Sequence, residues 1–126
     1  MNHIKSINEL FGFLKKKFSQ DEIDSIESLF SDTVDELGIS NKDISLRIVF
    51  DDYKAQLICT IKIEPSLFNN VIMKSDEIRN FFKTLEVNFK VIRGYDAYNN
   101  YGMVRRALEM TKDRINGEYK FKLMKK

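Results

Sequence analysis

The sequence predicts a two-layer α+β fold, and three patterns carry that prediction. Two amphipathic helical stripes open the chain, and two period-two apolar runs follow on either side of a polar turn. The second half then alternates strand spacing with helical spacing. Strands that alternate keep one wet face each, so the helices are expected on one face of a four-stranded sheet, mostly antiparallel or mixed. The expected order is an N-terminal helix pair over about residues 4–37, then a β-hairpin and a β-α-β-α-β arrangement over about 43–124.

The first helical stripe is Ile4, Ile7, Phe11, Leu14 and Phe18, and Ser6 and Glu9 have capping-box spacing. The second begins at Ser19-Gln20-Asp21-Glu22, the same cap pattern. It runs through Ile23, Ile26, Phe30, Val34 and Leu37 to Gly38, the residue type that ends a helix in the left-handed conformation. The short link between them favours an antiparallel pair. Ile44, Leu46, Ile48 and Phe50 alternate up to the turn at Asp51-Asp52-Tyr53-Lys54, and Ala55, Leu57, Cys59, Ile61 and Ile63 alternate after it. Pro65 stops this second strand because it cannot donate to a ladder.

Residues 66–75, "SLFNNVIMKS", fit either a short helix or a loop. Ser75 caps a helix through Ile78, Phe81, Phe82 and Leu85. Val87, Phe89 and Val91 alternate as a third strand. Met103, Val104, Ala107, Leu108, Met110 and Ile115 return to helical spacing, closed by Asn116-Gly117, and Tyr119, Phe121 and Leu123 make a last strand.

At 126 residues the chain has the length of a single domain. Its 43% apolar content, with ten Phe and no Trp, supplies a phenylalanine-rich core. No apolar run reaches the roughly 18 residues that a membrane span needs. The start lacks the layout of a signal peptide, since Glu9 falls within its apolar part and the lysines follow it. One cysteine makes no internal disulfide, so a cytoplasmic setting is expected.

The formal charge of +2 hides an asymmetry. Residues 1–89 hold 11 Lys/Arg and 15 Asp/Glu, a net of −4, whereas residues 90–126 hold 10 and 4, a net of +6. Such polarity bears on partner steering and not on fold.

The catalytic inventory is thin, and no catalytic residue, metal site or cofactor is expected. His3 is the only histidine, and it stands beside the terminus. Cys59 lies on an apolar strand, where a thiol behaves as a small hydrophobe and not as a nucleophile. Zinc needs three or four ligands at characteristic spacing. Gly94 and Gly102 lack the strand–loop–helix context of a phosphate-binding glycine motif. The acidic run along the second helix, from Asp21 to Glu36 without a Lys or Arg, reads as a solvated face or as a surface for a basic partner.

The candidate binding segment is "RGYDAYNNYGMVRR", residues 93–106. Its candidate residues are Arg93, Tyr95, Tyr98, Tyr101, Arg105 and Arg106. If Asn99 or Asn100 caps the following helix, the first free N–H groups form an anion site. Arg105 and Arg106 near the positive end of a helix dipole ask for a negative neighbour, either Asp96, the acidic helix or a ligand. Tyr and Arg also concentrate at protein interfaces and on single-stranded nucleic acid. A pI of about 8.6 is below that of a dedicated nucleic-acid binder. The expected function is therefore protein–protein interaction of an inhibitor, immunity or adaptor kind, with a nucleic-acid or nucleotide binder as the alternative. The broad apolar surface of residues 4–18 adds a candidate homodimer seam.

Overall fold

The computed structural model describes residues 18–94 and 111–126. The chain runs through α1 (Gln20–Leu37), β1 (Ile44–Asp51), β2 (Gln56–Ile63), α2 (Asp76–Asn88), β3 (Phe89–Arg93) and β4 (Glu118–Lys125). Residues 111–116, just before β4, are helical. The strands form one antiparallel four-stranded sheet in the order β1-β2-β4-β3.

Each helix begins where its cap falls. The Ser19 hydroxyl accepts the Glu22 N–H, and the Glu22 carboxylate accepts the Ser19 N–H, which closes a capping box. Gly38 ends α1 at φ 68°, and its N–H returns to the carbonyls of Val34 and Asp35. Ser75 caps α2 by accepting the Ile78 N–H.

Period two divides the sheet into a core face and an open face. Leu57, Cys59 and Ile61 on β2 and Phe121 and Leu123 on β4 are fully buried. Ile26, Phe30 and Val34 of α1, with Ile78, Phe81, Phe82 and Leu85 of α2, cover that face. Rings meet edge-on at its centre: Phe81 and Phe82 lie 6.2 and 4.9 Å from Phe121, and Phe30 lies 5.4 Å from Phe81. Each fully buried Phe contributes about 2–3 kcal/mol by transfer alone, so this cluster anchors both helices to one side of the sheet.

Several sequence expectations change in detail. Val87 is not on the third strand. It stands in the last turn of α2, 70% exposed, and β3 starts only at Phe89. Helical hydrogen bonding continues past Leu85 because no cap residue interrupts it. The segment 66–75 is neither one helix nor a loop; it is a 3-10 turn at Pro65–Leu67 followed by a π-helical turn at Asn69–Met73. Ile115 is helical but 68% exposed, while Asp113 of the same helical stretch is buried. The hairpin turn falls at residues 52–55, so Ala55, at φ 47°, belongs to the turn and not to the second strand, and Asp51 is still paired to Gln56. The first expected helix lies outside the described residues except for Phe18. That ring is buried against Phe50 and Phe89 at 6.4 and 5.4 Å.

Candidate functional site

The two layers carry opposite charge. On α1 the buried stripe leaves Asp21, Asp24, Glu27, Asp32, Asp35 and Glu36 exposed, and no Lys or Arg occurs from 18 to 41. Glu22 of this helix pairs with Lys125 at the end of β4, 3.0 Å away. The Ser19 N–H, and after it Lys125, hold the Glu22 carboxyl below the usual carboxylate range.

On the open face of the sheet, Arg47, Lys62, Lys90, Lys120 and Lys122 outnumber Asp51 and Glu118. The order β1-β2-β4-β3 is responsible. It inserts β4, with its lysines, between β2 and β3, which bring Lys62 and Lys90 to the same side, and β1 adds Arg47 beyond β2. Lys62 stands opposite Glu118, so one cation is matched across strands. Lys122 lies in a row with Ile58 and Ile92. Burial among them lowers the pKa of its amine, and the nearby Lys54 adds to the shift. No aromatic ring stands on this face among the described residues.

Of the six candidate binding residues, Arg93 is described. It sits at the end of β3, with its guanidinium 4.0 Å from the Phe82 ring centroid and 5.7 Å from that of Tyr119. Its Nε donates to the Tyr119 hydroxyl at 3.2 Å. Two rings and a hydroxyl thus hold one face and one edge of the group. Gly94 follows in the left-handed conformation, buried, where an added Cβ would meet the Tyr119 hydroxyl at 3.1 Å. The start of the Tyr/Arg segment is therefore fastened to the core. Tyr95, Tyr98, Tyr101, Arg105 and Arg106 lie outside the described residues, as do residues 4–17 of the candidate dimer seam.

Cys59 is fully buried, and burial pushes its thiol up to about 12. A thiol so held stays protonated and unreactive at neutral pH. Among the described residues no group of three His, Cys, Asp or Glu side chains could hold a metal ion. None of the described helices is long and apolar enough to cross a membrane.

The sequence signalled the acidic helix and the net positive charge of residues 90–126. It carried no signal for the strand order, which alone gathers the cations on one face. Comparison with known proteins adds nothing to this geometry: no family model, no curated protein and no solved structure matches the chain.

Proposed function

We propose that this chain is a small binding protein that offers the acidic face of α1 to a positively charged protein, in the manner of an inhibitor, an immunity-type protein or an adaptor. The separation of charge between the layers supports this reading. Six exposed carboxylates on α1 face outward, and among the described residues Arg47, Lys62, Lys90, Lys120 and Lys122 gather on the opposite, open face of the sheet. A field arranged in this way steers a complementary partner and repels wrong ones. The proposal includes a cytoplasmic setting, where a lone buried thiol such as Cys59 is kept reduced.

The test is co-purification from nuclease-treated extract with the wild type and with an Asp24→Lys, Asp32→Lys, Asp35→Lys variant. All three positions are exposed, so the fold should tolerate the change. A protein held by the wild type and lost by the variant supports the reading. Identical partners, or none with either, count against it.

One observation favours a second reading, nucleic-acid binding on the open face of the sheet. Arg47, Lys62, Lys90, Lys120 and Lys122 gather on that face, and a phosphate backbone would supply their counter-charge. Without rings on that face, contact with nucleic acid would rest on charge alone and fall steeply with salt. Oligonucleotide titrations at about 50 mM salt test it, and flat curves would remove it.

A further inference from the structure

The sheet order leaves β1 at one edge, and at eight residues it is longer than the other edge strand, β3, at five. Its free side follows from one hydrogen bond. Glu64 N donates to the Asp43 carbonyl at 2.8 Å, one step beyond the Ile44–Ile63 pair, so Asp43 and Glu64 form a hydrogen-bonded pair. Alternation then turns the peptide groups of Ser45, Arg47, Val49 and Asp51 toward β2. Those of Leu46, Ile48 and Phe50 point away from the sheet. Among the described residues no backbone bond outside the strand ladders takes up those outward groups.

Native edges are usually blunted by bulges, prolines or lysines. β1 has no bulge and no proline, Arg47 on the open face is its one cation, and its register with β2 is unbroken over its whole length. Beside the edge runs a groove of about 240 Å³ between α1 and β1, lined by Phe30, Val34, Ile44 and Leu46, with Glu27 on the helix side. Asp24 and Asp35 share that flank of α1, one turn before Glu27 and two turns after it.

We infer that the β1 edge accepts an extended, basic segment of a protein partner as a fifth, antiparallel strand. Its backbone pairs with Leu46, Ile48 and Phe50, and its Lys or Arg side chains face the helix layer. The stems cover the groove while the heads meet Glu27, Asp24 and Asp35. Charge complementarity selects this occupant. A second copy paired edge to edge would set the two carboxylate flanks against each other, and an acidic segment would meet the same repulsion. The inference rests on the reading of α1 as the face that addresses a basic protein, and it adds the mode of attachment.

Fluorescence anisotropy with an alternating Lys–Val heptapeptide tests the inference on the intact chain. In antiparallel addition, matched residues share a face and the outward β1 groups bond to residues on the helix side, here the lysines. Methylating the lysine backbone nitrogens should therefore weaken binding by at least about tenfold, whereas methylating the valine nitrogens should leave it unchanged. An alternating Glu–Val peptide should bind at least about tenfold more weakly, and Glu27→Lys should weaken the Lys–Val peptide. Equal binding of both methylated peptides, equal binding of the Glu–Val peptide, or no binding at all would overturn the proposal. A partner that depends on the charge of α1, together with failure of the peptide series, would sink strand addition alone. A methylation-sensitive peptide with no charge-dependent partner would sink the reading it rests on.

Discussion

Gly117→Ala should be the most damaging single-methyl addition at any described glycine. Gly117 leads into β4 at φ 69°, and its carbonyl accepts the Ile63 N–H at 2.7 Å, which extends the β2–β4 ladder by one rung. A Cβ placed there would lie 1.9 Å from the Ile63 carbonyl oxygen and 3.3 Å from Pro65 Cδ. The first is a backbone atom of a buried central strand and cannot swing aside as a side chain would. Relief requires the turn to withdraw by more than an ångström, at the expense of that hydrogen bond. The left-handed conformation costs about 1–2 kcal/mol for a non-glycine residue, and a lost backbone bond adds about 1 kcal/mol or more. A total of about 3 kcal/mol is a large share of the roughly 5–15 kcal/mol that holds a domain together. Gly38→Ala is the internal control: φ is 68°, yet nothing lies within 4 Å of the added atom, so only the conformational cost remains. Urea denaturation followed by far-ultraviolet circular dichroism measures both variants. Gly117→Ala should lose at least about 1–2 kcal/mol more than Gly38→Ala. Equal losses would refute the close approach.

Arg93→Met should lower stability by about 1–2 kcal/mol, since it removes the cation from the faces of Phe82 and Tyr119; a neutral result in the same denaturation assay would return Arg93 to the list of free binding groups. Cys59 should react with a thiol reagent only upon unfolding, because its folded-state pKa of about 12 leaves almost no thiolate; stoichiometric labelling of the native protein at neutral pH would contradict its burial. Ser19→Ala should cost about 1 kcal/mol through loss of the α1 cap, read as a fall in the denaturation midpoint. Glu22 has a lowered folded-state pKa, so its contribution is complete above the ordinary carboxylate value and is lost as pH falls through the depressed one. Glu22→Gln should therefore flatten the decline of stability below about pH 4.5, and an unchanged pH profile would show that the Ser19 and Lys125 contacts have no energetic weight.

Local periodicity made the α+β class legible. Ile26, Phe30 and Val34 repeat at helical spacing, and Leu57, Cys59 and Ile61 at strand spacing; both periods follow from how side chains leave the backbone. Caps were legible for the same reason. Ser19 with Glu22, and Gly38 at its left-handed φ, act within a few residues of their own positions. The pattern failed where two local rules competed. Val87 matched the alternation of Phe89 and Val91, but the hydrogen bonds of α2 propagated through it.

The candidate site was less legible. Arg93 looked like a free cation of the Tyr/Arg segment, because nothing nearby in the chain announces the stacking of its guanidinium on Phe82 or its bond to Tyr119, 26 residues ahead. The acidic run of α1 could be read directly, being a property of one helix. Its separation from the cations could not be. That depends on β4 entering the sheet between β2 and β3, and the same choice leaves β1, among the described residues, with an unpaired edge beside the carboxylates. Sequence by itself determined which residues of α1, β1, β2 and β4 turn inward, since that is a matter of period along one strand or helix. Tertiary structure alone decided which strands became neighbours, because pairing is a contest among distant segments for the same hydrogen bonds and the same buried face.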